Sequence, residues 1–344
     1  MSDLASILKN PLSLTPDVAG KITADIMANQ LTPSQIGGFL VAIKLLGKET
    51  DPATIAAVAK AMQSKALPVE LPFDVADIVG TGGDGQNTFN VSTAASIIVA
   101  GAGVKVAKHG SRASSSTSGS ADVLEALGCH LESVSPTAVG SILDSSNFCF
   151  LFAQSFHPAM RHVAASRKEL GVRTIFNMQV LGPLTNPARP SKMVVGVFSK
   201  DIGRIMAEAL HLSGVREGWV VHGLVGLDEI SPEGSTLVWA FDSMGTITER
   251  TISPADFGLA EHPLRDVVGG EANENAATMS ALLDNALTGP IVDFVLMNAA
   301  ALLYVAGAAS NLKEGVALAR QSISSGTAKQ QLHQFATKTH FYKK

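Results

Sequence analysis

Aromatic side chains are scarce in this sequence of 344 residues: they make up 5%, with two Trp and two Tyr. Charge is scarce too, at 16% against a usual share of about 25%. A chain so poor in charge, and 46% hydrophobic, is not an intrinsically disordered one. Its net charge of −4 argues against a duplex nucleic-acid binder that relies on a basic surface. Only two cysteines occur, Cys129 and Cys149, too few for a disulfide framework and without zinc-site spacing. Both read as buried small apolar side chains, and a reducing cytoplasm is the expected compartment. Long apolar runs are missing as well. The most apolar stretch, Phe294 to Ala309, has 16 residues with Asn298 among them, short of the roughly 20 needed for a membrane span. It reads as a buried helix despite a mean hydropathy of +0.24. Met1 to Asn10 mixes Asp3 and Lys9 with scattered leucines, so no signal peptide is expected.

What is abundant is small: 46 Ala and 31 Gly, suited to close helix packing and to backbone approach toward a ligand. At roughly 150 residues per domain the length suggests about two domains. Residues 1–72 read as an all-α unit. Thr15-Pro16, Thr32-Pro33 and Asp51-Pro52 each place a capping residue before a proline suited to the first helical turn. Gln35 stands at the capping-box position relative to Thr32, and Ile36, Phe39, Leu40 and Ile43 mark one apolar face. From 73 to 344 strand-like and helical runs alternate, which indicates an α/β domain with a mostly parallel central sheet. The expected strands are 75–79, 103–107, 148–152, 193–198, 219–222 and 236–240. Helices are expected at 94–102, around 125–128, at 157–170, and as one C-terminal helix over 313–335.

The run Gly80-Thr81-Gly82-Gly83-Asp84-Gly85 matches the G-x-G-x-x-G dinucleotide pattern after a strand. That reading, a nicotinamide-dependent oxidoreductase, also needs an acidic residue about 20 positions on for the ribose. From Gly85 to Ala121 there is no Asp or Glu, and no Gly-Lys-Ser/Thr follows to make a P-loop. The acid-free stretch instead holds Asn87, Thr88, Asn90, Ser92 and Thr93, then Lys105, Lys108, His109 and Arg112, then Ser114, Ser115, Ser116, Ser118 and Ser120. Glycine-loop amides, hydroxyls at a helix start and a few cations suit a phosphorylated ligand. Asp228-Glu229 follows a strand through Gly223 and Gly226. Adjacent carboxylates on a strand-end loop suit Mg2+, which takes one or two carboxylates plus ligand phosphates. Arg161, Arg167 and Lys168 crowd one helix end, favourable for its dipole or for a carboxylate ligand. His109, His157 and His222 read as structural or hydrogen-bonding rather than catalytic.

Together, GTGGDG, NTFNVST, KHGSRASSSTSGSADVLEALG, HPAMRHVAASRKELGVRTIFN, LGPLTNPA and GLDEISPEG closely resemble the anthranilate phosphoribosyltransferase family, over essentially the whole chain. The stretch Ser231 to Leu259 looks more like fungal members. The resemblance implies a small α domain, with a segment at about 158–188 packing back onto it, and an α/β domain that binds phosphoribosyl pyrophosphate. It implies a homodimer through the α domains, with anthranilate and phosphoribosyl pyrophosphate as substrates, Mg2+ as cofactor, and no membrane partner. Carried over by position, Gly80, Gly83, Asp84, Thr88, Asn90, Val91, Ser92 and Thr93 would line the phosphoribosyl pyrophosphate site. Lys108, Gly110, Arg112, Ser115, Ser116 and Ser120 would complete it. Ser92, Asp228 and Glu229 would hold Mg2+. Gly80, His109, Ser111 and Arg167 would face anthranilate, and Lys108 would stabilise the leaving charge, with no general base assigned. Two departures stand out: Ser111 replaces the usual Asn, and Phe176-Asn177-Met178-Gln179-Val180-Leu181-Gly182-Pro183 is two residues longer than the usual pattern. A pyrimidine nucleoside phosphorylase is the nearest rival, and a non-catalytic nucleotide-binding protein a further one.

Overall fold

Proline-preceding caps set the start of the chain in the computed structural model, which describes residues 3–113, 117–171 and 178–342. Four helices, α1 (Asp3–Lys9), α2 (Pro16–Met27), α3 (Pro33–Leu45) and α4 (Pro52–Gln63), open the molecule. The side chains of Thr15, Thr32 and Asp51 accept from the amides of Val18, Gln35 and Thr54, and Gln35 closes the capping box. Ile36, Phe39, Leu40 and Ile43 are all buried.

The rest is an α/β domain around a seven-stranded sheet of order β3-β2-β1-β4-β5-β6-β7. Its strands are β1 (Ala76–Gly80), β2 (Val106–Gly110), β3 (Phe148–Phe152), β4 (Lys192–Gly196), β5 (Glu217–Gly223), β6 (Thr236–Phe241) and β7 (Ile247–Ile252). Strands β1 to β5 pair in parallel, while β6 and β7 are antiparallel. The helices are α5 (Val91–Gly101), α6 (Ser120–Ala126), α7 (Pro136–Ser145), α8 (Ala153–Phe156), α9 (Arg161–Leu170), α10 (Met178–Leu181), α11 (Gly203–Leu212), α12 (Ala272–Leu283), α13 (Pro290–Val305), α14 (Leu312–Ser324) and α15 (Thr327–Phe341). Side chains alternate along the strands between two cores. Val194, Trp219 and Val221 join the core of α5 and α13, whereas Met193, Val195 and Val220 join the core that α11 shares with the first four helices. The apolar stretch from Phe294 is α13, with every residue from Phe294 to Leu303 buried. Each such large side chain contributes about 2 kcal/mol on leaving water. Among the described residues no helix is long and apolar enough to cross a membrane.

Three local expectations are corrected, and one strand carried no expectation. The second strand lies at Val106–Gly110, later than expected, because Gly103 turns the chain at φ +100° and the polar Lys108 and His109 find partners inside the sheet. The helix sought around 125–128 starts at Ser120, behind Gly119. The C-terminal pattern is two helices, since Gly326 at φ +76° ends one and begins the next. Strand β7 was unmarked by apolar alternation. It is a polar edge strand, and Arg250 on it lies 4.3 Å over the Trp219 ring.

Candidate active site

Strand β1 lies between β2 and β4, and the parallel strands diverge there into the two halves of the sheet. Ligands of open α/β sheets bind in such a crevice, beyond the carboxyl ends of the strands. Four of those ends are glycines: Gly80, Gly110, Gly196 and Gly223. A Cβ at Gly80 would stand 2.6 Å from Asp228 Oδ2, and one at Gly196 would stand 1.6 Å from the Asp228 carbonyl oxygen. The glycines thus make room for the Asp228-Glu229 loop to lie across the ends of β1 and β4.

Asp228 and Glu229 are each only 7% exposed. Gly82 N donates to Asp228 Oδ2 (2.5 Å), and Asp228 N donates to Asp84 Oδ2 (3.4 Å). Burial drives the Asp228 pKa well above its usual range, and the charges of Glu229 and Asp84 add to the rise. Burial likewise pushes Glu229 up to about 8, helped by Asp84 and opposed by Lys108 and a Ser92 hydrogen bond. Lys108 is buried, and its Nζ donates to Ile78 O (2.7 Å) and Ser92 Oγ (3.3 Å). Its pKa is lowered by burial, against the charges of Asp77 and Glu229. Carboxylates that repel one another in a dry site, with a hydroxyl alongside, fit a divalent cation of oxygen-ligand type. No three His, Cys, Asp or Glu side chains among the described residues form a closed metal cage.

Two loops flank this cluster. Gly82, Gly83 and Gly85 all have positive φ, which only glycine adopts freely, so at these three positions the loop presents bare backbone beside the Asp84 side chain. Thr88 bridges to Val268, and Asn90, Val91, Ser92 and Thr93 open α5. The N-terminal amides of a helix favour phosphate oxygens. Opposite, Thr93 Oγ1 donates to Ser120 Oγ (2.9 Å) at the start of α6, bringing the two loops together. Asp122 holds the second loop shut, accepting from Ala113 N and Gly119 N (both 2.8 Å). Ser115 and Ser116 lie outside the described residues. Arg112 donates to Glu125 (2.7 Å) and Glu132 (3.5 Å), with its guanidinium 4.8 Å over the Phe152 ring. Lys105 turns to Leu143 O and Asp144.

On the other side of β2, His109 is buried with Nδ1 3.3 Å from Gly182 O, and its ring meets that of His157 at 5.1 Å. Burial lowers His109 to about 3, with His157 adding to the fall, and lowers His157 to about 4. The Nε2 atoms of both rings are buried without a partner in the described structure. Arg167 lies in the last turn of α9, whose C-cap is Gly171 at φ +63°, and burial lowers its pKa. Ser111 precedes the loop, its carbonyl accepting from Ala121 N (3.2 Å). Of the stretched segment, Phe176 and Asn177 are outside the described residues, whereas Met178–Leu181 forms α10.

Sequence reasoning passed over several groups that hold this site. Asp77, fully buried and pushed up to about 6 by burial, accepts from Asn186 Nδ2 (2.9 Å) and His109 N (3.4 Å). Asn186 O accepts from Gln63 Nε2 (2.9 Å) of α4, tying the helical unit to the sheet. A Pro-flanked Asn and an acid inside an apolar strand were the available signals.

A helical bundle joined to an α/β domain whose strand-end loops are glycine-rich and carry buried carboxylates defines the class. The helical bundle domain of a glycosyl transferase family matches residues 3–66, and its a/b domain matches residues 73–329. The anthranilate phosphoribosyltransferase of Rhizobium meliloti (strain 1021) is 49% identical over 91% of this chain and 90% of its own. The crystal structure of the Thermus thermophilus anthranilate phosphoribosyltransferase superposes with TM-score 0.89 at 43% identity, covering 99% of this chain and 100% of that one. That of Saccharomyces cerevisiae in complex with PRPP and Mg gives 0.91 at 35%, covering 99% and 97%, and the yeast protein is also solved with 4-fluoroanthranilate. The chain belongs to the anthranilate phosphoribosyltransferase family. Over the whole chain, identity to the yeast protein is below that to both bacterial relatives named.

Proposed function

We propose that this chain transfers the 5-phosphoribosyl group from phosphoribosyl pyrophosphate to the amine of anthranilate, releasing pyrophosphate, as a step of tryptophan biosynthesis in the cytoplasm. The observation that carries the reading is the buried trio of Asp228, Glu229 and Lys108, with the half-buried Asp84 and Ser92 beside it, facing two phosphate-type loops. Its relatives' activity and ligands support it.

In this reading Gly80, Gly83, Asp84, Thr88 and Asn90 to Thr93 line the sugar-phosphate side, with Lys108, Gly110 and Ser120 opposite. Ser115 and Ser116 belong to the same cradle. Arg112 joins it only by leaving Glu125 and Glu132. Ser92, Asp228 and Glu229 would hold Mg2+, which supplies positive charge beside the pyrophosphate oxygens. The anomeric C–O bond breaks with its electron pair going to pyrophosphate, and the C–N bond to the amine forms. Lys108 and the loop amides stabilise the leaving charge electrostatically. The neutral aryl amine needs positioning more than a strong base, and the proton of the new ammonium passes to water. Arg167 would pair with the anthranilate carboxylate, with His109 and Ser111 shaping that pocket.

The test is direct: protein, Mg2+, phosphoribosyl pyrophosphate and anthranilate should show loss of anthranilate fluorescence. No loss with folded protein, together with thymidine phosphorolysis, would overturn the reading. A homodimer through the helical unit belongs to the same reading, supported by Leu12 and Leu45 at 88% and 81% exposure. Light scattering should return twice the chain mass, and a single-chain mass contradicts it.

A further inference from the structure

Asn275 sits on α12, outside every motif the sequence displays, and is 4% exposed. Its amide is engaged on both sides. Oδ1 accepts from Gly270 N (2.8 Å), while Nδ2 donates to Asn90 Oδ1 (2.8 Å), Ser118 Oγ (2.9 Å) and Gly270 O (3.2 Å). Asn90 opens α5 and donates in turn from Nδ2 to Ser118 O (3.1 Å). Three segments therefore meet on one buried side chain: residues 87–93 leading into α5, residues 117–120 leading into α6, and residues 267–270 ahead of α12.

The surroundings leave little slack. Gly269 N donates to Asn87 O (2.9 Å), and Phe89 N donates to Val267 O (2.9 Å). A Cβ at Gly269 would stand 2.7 Å from Thr88 O and 3.1 Å from Asn275 Nδ2. Thr117 donates through N (3.0 Å) and Oγ1 (2.9 Å) to Asn87 Oδ1. The Asn90 side chain is thus committed inward, so what this residue offers a ligand is its place at the helix start. A buried polar network with its members satisfied fixes relative position, and phosphate recognition from two sides is sensitive to such spacing.

We infer that Asn275 is a positioning residue for the phosphoribosyl pyrophosphate cradle, holding the 87–93 and 117–120 loops at the separation the ligand spans. It acts through Asn90 and Ser118 rather than on the reacting atoms, and the inference rests on the function proposed above. The test is two-substrate kinetics on Asn275→Asp and Ser118→Ala. The first keeps volume and the acceptor for Gly270 N but faces a carboxylate oxygen to Asn90 Oδ1. The KM for phosphoribosyl pyrophosphate should rise about tenfold while that for anthranilate stays within about twofold. Ser118→Ala should shift the same constant, and the double variant should be no worse than Asn275→Asp alone. An unchanged phosphoribosyl pyrophosphate KM, equal rises in both constants, or additive losses would overturn the inference. If circular dichroism shows Asn275→Asp unfolded, Ser118→Ala decides by the same split. A wild-type chain inactive toward both substrates removes the functional reading and this inference with it. An active wild type with unaltered variants removes the inference alone.

Discussion

Asp228 and Glu229 are held in the folded chain against their own electrostatics, since burial and the charge of Asp84 both disfavour their ionised forms. A cation would offset that opposition, which makes the pair more telling than an exposed acidic turn. Asp228→Asn combined with Glu229→Gln should lower Mg2+-dependent turnover about 100-fold or more. The chain should stay folded by circular dichroism, because each amide keeps the shape and an acceptor oxygen of the acid it replaces and Asp77 still faces Lys108. Near-normal activity would reject the metal assignment. Arg167→Ala should raise the anthranilate KM about tenfold through loss of a charge-assisted pair, with a smaller effect on the sugar phosphate; equal effects would exclude Arg167 as the carboxylate partner. His109 and His157 carry folded values near 3 and 4 against 6.5 unperturbed, so protonation favours the unfolded chain. Their contribution is intact above pH 6.5 and is lost as pH falls toward 4 and then 3. Between about pH 7 and about pH 5, denaturant stability should fall by up to about 1.4 kcal/mol per unit per histidine. The slope should be shallower in His157→Gln, and an identical slope would contradict the assignment. Asp228-Glu229 could be singled out in the sequence only beside the glycine loop, since two acids after a strand would otherwise read as an ordinary exposed turn; the structure buries both. Asn275 could not be singled out: one amide on an amphipathic helix carries no local sign of the loops it joins.

At the scale of elements, β1 and β4 end on glycine because the Asp228 loop needs the space a side chain would fill. Gly196→Ala should destabilise the protein by about 1–3 kcal/mol through overpacking and depress turnover with it. Full stability and activity would mean that the loop is not tightly seated on β4. Capped helices were easy to read, since Thr15, Thr32 and Asp51 announce themselves by a following proline. Strand β2 was harder. Its last residues are the polar Lys108, His109 and Gly110, which look like loop until Ile78 O, Asp77 and Gly182 O are in place around them. Strand β7 was invisible for a different reason: its four central residues are exposed, so apolar alternation has nothing to mark.

For the whole molecule, the helical unit and the α/β domain are not separate bodies side by side. The first four helices share a core with α11 and one face of β4 and β5, and Gln63 reaches Asn186 at the crossover into β4. The catalytic reading therefore draws on both parts, with anthranilate contacts proposed from α9 and the sugar-phosphate cradle proposed from strands β1, β2 and β5. Composition alone indicated a core rich in Ala and Gly, and the pairing of a helical unit with a parallel sheet followed from pattern. How the two meet depended on buried polar groups that pattern does not order. The central claim is phosphoribosyl transfer, and its most direct measurement is stoichiometric. With Mg2+ and both substrates, each anthranilate consumed should release one pyrophosphate, and the Asp228→Asn, Glu229→Gln variant should lose both signals together. Pyrophosphate release without anthranilate loss, or neither from folded wild-type protein, would contradict the account.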